Sequence, residues 1–350
     1  MAKVMAAMSG GVDSSVVAAL LKQQGHTVLG ATLRLVEDSG VLSEEVLRAK
    51  AVCEKLGIPH YIYDMRRQFK KEIIGRFIAE YENGLTPNPC VECNKYIKFG
   101  GLLDCAVAEG AEYIATGHYS KITFNTASGR YLIIRPEDTK KDQTYVLWQL
   151  SQHQLAHTLM PLGELTKDEV RQIAQGYSLA SASAKDSQDI CFVPNGNYAE
   201  FIQTHQGAAF PKGRYVDIYG KTLGQHLGHQ CYTIGQRKGL GIALGKPQFV
   251  ISKNPHTNEV VLGDEEHIFK SRIYIKDINM IATEVPGSSI SCTAKLRYSA
   301  RDEECMFHPI SETEAILEFK KPQRAATPGQ SAVLYSGEVL LGGGKIIKGE

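Results

Sequence analysis

Three cysteines are the residues of this sequence whose types and spacing best suit covalent chemistry. Cys90 and Cys93 lie in the segment TPNPCVECN, and Cys191 lies far along the chain in KDSQDICFVP. A thiolate is a strong nucleophile that can also carry and exchange sulfur. An isolated C-x-x-C pair is compatible with redox chemistry, half of a zinc site or chance, and no second C-x-x-C pair supplies further zinc ligands.

The eight cysteines differ in the environments that we expect for them. Cys93 precedes Asn94 and Lys95 at the predicted start of a helix, where the helix dipole and a nearby ammonium group both favour the thiolate. Five others stand among apolar or strand-like neighbours, which favours buried structural thiols: Cys53, Cys105, Cys231, Cys292 and Cys305. The sequence alone leaves open whether Cys93 and Cys191 meet in space.

A second segment suited to chemistry is SGGVDSS, at residues 9–15. A strand that runs into a glycine-rich turn and then a helix directs backbone N–H groups and the positive helix end at an anion. Gly10 and Gly11 let the main chain approach phosphate oxygens, and Asp13 is suited to help hold a magnesium ion. This turn lacks both the Walker lysine and the G-x-G-x-x-G dinucleotide pattern, so it predicts nucleotide binding of another kind.

These residues must be positioned by the elements around them, and up to about residue 190 short apolar runs alternate with amphipathic stretches. That alternation predicts an α/β domain with a parallel sheet. The expected strands are Val4–Met8, His26–Leu33, Ile58–Tyr63 and Glu112–Thr116, and the expected helices are Ser14–Gln24, Ser43–Leu56, Arg66–Tyr81 and Ile97–Glu109. The segment Thr86–Asn94 is predicted to interrupt this pattern and to be non-helical at both of its prolines.

The residue pattern changes after about residue 205. Glycines recur every few residues there, and short segments of alternating apolar and polar residues indicate antiparallel strands. We therefore expect three domains: an α/β catalytic domain over 1–204, a small β-rich central domain over 205–267 and a C-terminal β-barrel domain over 268–350. The length of 350 residues and the 43% hydrophobic content are those of a globular protein with two or three domains.

The composition also limits the cellular locations and partners that we expect. No apolar run approaches the roughly 20 residues that span a bilayer, and no signal or transit peptide is evident, so we expect no membrane association and a cytoplasmic location. Eight cysteines are too sparse for a disulfide scaffold in a chain of this length and predict reduced thiols. The net charge of +1 argues neither for nor against a nucleic-acid partner.

The segment SGGVDS resembles the SGGxDS motif of the PP-loop ATP pyrophosphatase superfamily. Members of that superfamily cleave ATP between the α- and β-phosphates, adenylate an oxygen of their substrate and release pyrophosphate. The resemblance implies an ATP site without the lysine that clamps β- and γ-phosphates. The superfamily includes GMP and NAD synthetases as well as tRNA-thiolating enzymes, so the loop alone does not identify the substrate.

A closer resemblance runs the full length of the chain. The segments SGGVDSS, TPNPC-x-x-CN-x-x-IKF, ATGHY, KDQ-x-Y, SQDICF, YTIGQRKGLG, K-x-RYS and TPGQ-x-x-V-x-Y occur in this order. Together they resemble the tRNA-specific 2-thiouridylases, a family that sulfurates the wobble uridine of tRNAs for Lys, Glu and Gln. The resemblance implies a PP-loop catalytic domain, ATP with Mg²⁺, a tRNA substrate bound through its anticodon stem-loop, and a sulfur donor protein, either a cysteine desulfurase or a relay protein.

The resemblance also implies roles for the three cysteines. Cys191 stands at the position of the persulfide carrier, and Cys93 at that of its partner nucleophile, which closes a disulfide and frees the product. Cys90 occupies a position where many members have aspartate. The same three thiols are also compatible with a minority mechanism in which a 4Fe–4S cluster with one open iron site carries the sulfur.

The remaining roles that the resemblance implies concern binding. ATP contacts are implied for Ala7, Met8, Ser9, Gly10, Gly11, Val12, Asp13, Ser14, Leu33 and Gly117. The target base would lie beside Asn88, Pro89 and Cys90. Contacts with tRNA are implied for His118, Lys141, Asp142, Gln143, Arg297, Tyr298 and Gln330, and the C-terminal barrel would grip the rest of the tRNA.

The chemistry explains why one chain would combine ATP with thiols. A uracil C2 carbonyl exchanges its oxygen poorly because oxide is a very poor leaving group, whereas adenylation turns that oxygen into part of AMP; a persulfide sulfur can then attack C2. Two other interpretations remain open. A PP-loop ligase that adenylates a small molecule and admits ammonia would not require two distant cysteines, and a nucleotide-binding RNA-binding module without catalysis would leave the paired thiols without a role.

Overall fold

The structure is a computed structural model that describes residues 1–36, 43–179 and 190–350. The serine- and acid-containing residues that precede Ile190 in the SQDICF motif therefore lie outside the described residues. Within the described ranges the strands form three sheets, of five, four and eight strands. No helix in those ranges is both long and apolar enough to cross a membrane.

The first sheet is parallel and confirms the predicted α/β architecture. Its strands are β1 (Lys3–Ala7), β2 (Thr27–Arg34), β3 (His60–Asp64), β4 (Tyr113–Ala115) and β7 (Thr158–Leu159). Their order across the sheet is β3-β2-β1-β4-β7. The order reverses between β1 and β4, and in such sheets a crevice opens at that point beyond the carboxyl ends of the strands.

The helices that surround this sheet include two with π-helical insertions. They are α1 (Val12–Gln23), α2 (Glu44–Leu56), α3 (Arg66–Phe69), α4 (Arg76–Glu82), α5 (Pro89–Cys93), α6 (Leu102–Ala108), α7 (Gln152–Ala156), α8 (Lys167–Gly176) and α9 (Tyr198–Gln206). The π-helical segment Lys70–Gly75 joins α3 to α4, and the segment Asn94–Gly101 joins α5 to α6. π-Helical segments are rare in proteins, and those that do occur often lie at functional sites.

Alternation along β1 explains why the sheet is covered on both faces. Val4 and Ala6 enter a buried cluster formed largely with α1 and α2, whereas Met5 enters a second cluster with Phe99 and Leu102. Successive side chains of a strand point to opposite faces, so an apolar run of this kind is buried on both sides. The central strand therefore fixes the loop that follows it within a rigid core.

The predicted break in the Pro-rich segment is confirmed at Pro87, where the chain is non-helical, but the prediction is wrong at Pro89. Pro89 is the first residue of α5, and the helix continues through Cys93 into the π-helical segment. Proline is well tolerated at the first helical position, because its missing N–H has no intrahelical partner there and its fixed φ suits the helix. The helix predicted from Ile97 therefore begins eight residues earlier in the chain and includes both cysteines of the C-x-x-C pair.

The central domain contains the second sheet. Its strands are β8 (Gly213–Val216), β9 (Thr222–His226), β10 (Phe249–Asn254) and β11 (Glu259–Gly263), in the order β10-β11-β8-β9. Tyr215, Val250 and Leu262 are fully buried in its core. The predicted antiparallel pattern is confirmed for two of its pairings, while β11 pairs with β8 in parallel.

The C-terminal strands close into a barrel, as the sequence predicted. They are β12 (Phe269–Met280), β13 (Ile290–Lys295), β14 (Glu303–Pro309), β15 (Glu314–Arg324), β16 (Ser331–Ser336) and β17 (Val339–Gly349). The barrel closes because β12 pairs with both β15 and β17.

A hairpin from the catalytic segment extends this barrel sheet, which the sequence did not predict. Its strands are β5 (Lys121–Asn125) and β6 (Arg130–Ile134), and β6 pairs with β17. Beside it, Trp148 is fully buried in a cluster that also contains Tyr335 and Leu340 of the barrel. The catalytic domain and the barrel therefore share one hydrophobic core.

Candidate active site

The SGGVDSS segment forms a tight turn between β1 and α1 at the carboxyl edge of the parallel sheet. Gly10 has a φ of +74°, and a Cβ at this position would overlap the carbonyl oxygen of Glu45 at the start of α2. Only glycine therefore fits there without moving α2. Ser14 and Ser15 donate their hydroxyl hydrogens to the Gly11 carbonyl oxygen, at 3.1 and 2.8 Å, which fixes the turn from within.

Gly117 lies against the same turn. A Cβ on Gly117 would be 3.0 Å from the Asp13 Cβ and 3.3 Å from the Ser14 nitrogen, so a side chain there would press on the loop. Gly117 follows β4, the neighbour of β1, and Leu33 lies on β2, the neighbour on the other side. The structure therefore gathers the residues predicted to bind ATP at the edge where the strand order reverses.

Asp13 has polar partners that the sequence did not reveal. Both of its carboxylate oxygens lie 2.8 Å from the Lys167 ammonium nitrogen, and the Tyr119 hydroxyl donates to Oδ1 at 2.9 Å. Lys167 is the first residue of α8, where Thr166 and Glu169 form a capping box, and only 6% of the lysine side chain is exposed. The contacts of Asp13 therefore fit an anchor that ties the loop to α8.

The three cysteines singled out in the sequence converge. Phe192 and Val193, which follow Cys191, pack in the same buried cluster as Cys93. The charges of Cys90 and Cys191 act on the pKa of Cys93, and that of Cys90 acts on the pKa of Cys191, in agreement with this packing. Residues 98 positions apart in the sequence thus lie in one region of the fold.

Burial has the largest effect on the pKa values of these three thiols. It raises the pKa of Cys93 to about 11, and the protein atoms packed around Cys90 and Cys191 raise theirs as well, although both of these residues keep an exposed face. The prediction that a helix start favours a Cys93 thiolate is therefore wrong: Cys93 is the last residue of α5, within a continuing helix. The ammonium of Lys98 acts in the opposite direction and lowers the pKa of all three thiols.

Lys98 is a residue that the sequence reasoning missed. It lies in the π-helical segment that follows α5, five positions after Cys93. In an α-helix of 3.6 residues per turn, a residue five positions on lies about 140° away around the axis, whereas a π-helical turn closes at i→i+5 and brings the two onto one face. The sequence shows the IKF motif that contains Lys98, but it does not show that this segment is π-helical.

The thiol site adjoins the ATP loop through the start of α2. The charge of Glu45 is one of those that raise the pKa of Cys191, and the Glu45 backbone carbonyl faces Gly10. Glu45 at the start of α2 is therefore a neighbour of both the loop and Cys191.

Residues expected near the target base and the tRNA meet beside Cys90. The ring centroid of Tyr145 lies 6.0 Å from that of Tyr298. Burial raises the pKa of Tyr145, and Asn88 and Arg297 lie close enough to offset part of that rise. Burial also raises the pKa of Tyr298; the charges of Asp142 and Cys90 add to the rise, and that of Lys141 opposes it.

Three residues expected to contact tRNA instead bond within the protein. His118 is buried, with Nδ1 2.9 Å from the Thr116 hydroxyl oxygen, and Gln143 accepts a hydrogen bond from the Tyr119 N–H at 2.8 Å. Gln330 donates to the carbonyl oxygens of Thr86 and Pro87, at 2.9 and 3.2 Å. For these side chains, contact with tRNA stays a prediction. Burial, followed by the charge of Lys98, holds the pKa of His118 well below its usual value and favours the neutral ring.

Among the residues that the structure describes, no group of three or more His, Cys, Asp or Glu side chains has an arrangement able to hold a metal ion. Cys53, Cys292 and Cys305 are buried, as predicted, while Cys105 and Cys231 are partly exposed, unlike the prediction.

Fold and site together define an α/β nucleotide-loop protein with thiols at the nucleotide edge and a closed β-barrel at its C-terminal end. Family models match the whole of this arrangement: the tRNA methyl transferase HUP domain over residues 2–195, the tRNA methyl transferase PRC-barrel domain over 199–264 and the aminomethyltransferase beta-barrel domain over 270–346.

Close relatives carry the name tRNA-specific 2-thiouridylase MnmA. The protein from Clostridioides difficile is 46% identical, over 99% of this chain and 98% of the relative. The proteins from Clostridium botulinum and Moorella thermoacetica are 47% and 48% identical, each over 98% of this chain and over 97% and 98% of the relative. The chain belongs to the tRNA-specific 2-thiouridylase family.

Proposed function

We propose that the chain is an ATP-dependent tRNA sulfurtransferase, which replaces the C2 oxygen of the wobble uridine by sulfur in tRNAs for Lys, Glu and Gln. The observation that carries the proposal is the convergence of Cys93 and Cys191 beside the SGGVDSS loop. The name shared by the relatives supports the same reaction for this chain.

The first step is activation of the base. ATP binds at the loop, the uracil O2 attacks the α-phosphorus, and pyrophosphate leaves. Backbone N–H groups around Gly10 and Gly11 and the positive end of α1 stabilise the phosphate charge. Lys167 and Tyr119 hold Asp13, and thereby the loop, in place. Magnesium enters with the ATP and would neutralise charge on its phosphates.

The second step is sulfur transfer. The terminal sulfur of a Cys191 persulfide attacks C2, and AMP leaves with the former uracil oxygen. The Cys93 thiolate then attacks the Cys191 sulfur of the resulting disulfide, which releases the thiouridine and leaves a Cys93–Cys191 disulfide. An external thiol reduces that disulfide, and the sulfur donor protein, a cysteine desulfurase or a relay protein, supplies the next persulfide sulfur.

Burial raises the pKa of Cys93 to about 11, so its thiolate has to form during the second step. The ammonium of Lys98 offsets part of that effect and favours the thiolate. Asn88, Pro89 and Cys90 are proposed to flank the flipped base, while Lys141, Asp142, Arg297 and Tyr298 are proposed to hold the anticodon stem-loop. RNA is commonly recognised through bases splayed out of the stack, which fits a base entering this site. We place the reaction in the cytoplasm.

Two substitutions test the scheme. We expect Cys191→Ser and Cys93→Ser each to abolish 2-thiouridine formation, measured by mass spectrometry of tRNA nucleosides, while tRNA-dependent pyrophosphate release continues. Cys231→Ser, at a partly exposed thiol of the central domain, is the matched control and should leave both activities unchanged. Wild-type turnover in either of the first two variants would refute the scheme, and pyrophosphate release without tRNA would indicate a ligase acting on a small molecule.

The cluster mechanism is tested separately. Cys90, Cys93 and Cys191 lie near one another, but the described residues do not present them in an arrangement that could hold a metal. We therefore derive no step through a 4Fe–4S cluster. Iron and acid-labile sulfide retained in active enzyme purified without oxygen, and lost together with activity in Cys90→Ser, would replace the persulfide scheme.

A further inference from the structure

The C-terminal barrel contacts the helix that carries Cys90 and Cys93. Lys345 of β17 extends its ammonium group to two carboxylates of the catalytic domain, with Nζ 2.8 Å from Glu92 Oε1 and 3.2 Å from Glu80 Oε1. Glu92 lies on α5 between the two cysteines, and only 9% of its side chain is exposed. A lysine of one domain thus neutralises a buried carboxylate beside the thiols of another.

Lys345 is the residue that does most to compensate the buried negative charge of Glu92. Its other polar contacts are long: Gln149 Nε2 donates to Oε1 at 3.4 Å, and Arg76 NH1 lies 3.9 Å from Oε2. A buried carboxylate is costly unless paired, and removing one partner of such a pair leaves the other charge uncompensated. Without the ammonium of Lys345, Glu92 and Glu80 would repel each other, because the charge of Glu92 already raises the pKa of Glu80.

Glu92 shares one stretch of backbone with both cysteines. It is bonded directly to Cys93 and lies within one turn of Cys90. A shift of α5 that brings the Glu92 carboxylate towards water therefore also moves both thiols. The approach of Cys93 to Cys191 is therefore sensitive to the pairing of Glu92.

The barrel also grips the start of the same segment. Gln330 donates to the carbonyl oxygens of Thr86 and Pro87, and the Thr86 N–H donates to the Pro328 carbonyl at 2.9 Å. Gly329 has a φ of +92°, and a Cβ there would lie 2.8 Å from the Thr86 nitrogen. Gln330 and Lys345 are neighbours. Gln330 directly precedes Ser331, which pairs with Lys345, and its carbonyl oxygen accepts a hydrogen bond from the Ile346 N–H.

We propose that Lys345 is a positioning residue for sulfur transfer: through Glu92 it holds the helix of Cys90 and Cys93 in register with Cys191. The barrel, which is the domain predicted to grip tRNA, thereby has an ion pair with the helix that carries Cys90 and Cys93. The inference rests on the proposed function for its link to sulfur transfer. Its structural content, the approach of two thiols, is measurable without that function.

The test is the rate at which Cys93 and Cys191 form a disulfide when the full-length protein reacts with oxidised glutathione. Two thiols reduce one glutathione disulfide to two glutathione molecules, and peptide mass spectrometry quantifies the protein disulfide. We expect Lys345→Met to slow this reaction roughly tenfold, because small misplacements of reacting groups have effects of that order or larger. Lys345→Arg keeps a cation and should react at close to the wild-type rate.

Three comparisons make the result specific. Lys320→Met removes the exposed pair of Lys320 with Glu304, 2.8 Å apart on the same barrel, and should leave the rate within roughly twofold of wild type. In a Glu92→Gln background, Lys345→Met should cause no further slowing if it acts through Glu92. The affinity of Lys345→Met for ATP, measured by calorimetry without tRNA, should also stay within roughly twofold of wild type, because the nucleotide loop does not lie on α5. Should Lys345→Met not fold, Lys345→Gln is measured in its place.

The inference is overturned by a wild-type rate of disulfide formation in Lys345→Met, or by slowing that multiplies with that of Glu92→Gln. An equal loss of ATP affinity and thiol reactivity would also overturn it, since that pattern marks general damage. The assay requires neither ATP nor tRNA. If Cys191→Ser retained thiolation, the proposed function would fail. The disulfide assay would still measure the effect of Lys345 on the approach of the two thiols.

Discussion

Lys167→Met tests how the nucleotide loop is held. The substitution keeps an unbranched side chain of similar length but removes the ammonium that lies 2.8 Å from both oxygens of Asp13. Asp13 then retains the Tyr119 hydroxyl, at 2.9 Å, as a hydrogen-bond partner. The carboxylate should turn towards water, and the turn at Gly10 and Gly11 should lose its attachment to α8.

The magnitude follows from the burial of the two partners. Removing one partner of a fully buried ion pair costs about 3–5 kcal/mol, whereas exposed pairs contribute about 0–1 kcal/mol. The Lys167 side chain is 6% exposed and that of Asp13 31% exposed, so water screens only the carboxylate. We therefore expect a loss of about 2 kcal/mol in the free energy of unfolding. The affinity for ATP should fall as well, because the loop is less ordered.

Urea unfolding followed by the fluorescence of Trp148, the single tryptophan, measures this loss. Adding Asp13→Asn to Lys167→Met should recover part of the stability, since no charge is then left unpaired. Lys246→Met, which breaks the exposed pair of Lys246 with Asp264, should change the unfolding free energy by less than about 0.5 kcal/mol. A Lys167→Met protein as stable as wild type, or no recovery in the double variant, would refute the reasoning.

Two further predictions concern the loop and the thiols. Gly10→Ala should raise the dissociation constant for ATP at least roughly tenfold, measured by calorimetry, because it combines strain at positive φ with overlap on Glu45, whereas Gly129→Ala, with a φ of +65° and open space around it, should leave ATP binding unchanged. Since burial raises the pKa of Cys93 to about 11, its alkylation by iodoacetamide should accelerate about tenfold per pH unit between pH 7 and 9, and a plateau below pH 8 would contradict that protonation state.

The sequence predicted the elements whose signals are local. Helix α2 illustrates this: Ser43 accepts a hydrogen bond from the Val46 N–H at its start, and Gly57 ends it in the left-handed conformation, as the spacing of apolar residues and the terminal glycine indicated. Four of the five strands of the parallel sheet were predicted to within two residues, whereas β7, of only two residues, was not predicted. The start of α5 was not, because proline at a first helical position and proline in a break look the same in one sequence.

The site was predicted less completely because its charges are paired through space. The glycine-rich turn and the three cysteines carry chemistry in their residue types, so the sequence revealed them. Lys98, Lys167 and Lys345 do not, since a lysine in an amphipathic segment is usually solvated. The capping box of α8 indicates where that helix begins, but not that its first residue turns inward to Asp13.

The pairing of β6 with β17, and the core around Trp148 that spans it, bear on how this enzyme could be shortened or divided. A fragment that stopped before residue 268 would present the edge of β6 and a large apolar face to water, with Tyr145 and Trp148 also deprived of their bonds to Ser331. Such a fragment should aggregate rather than survive as a small ATPase. The catalytic domain and the barrel should therefore fold as one unit.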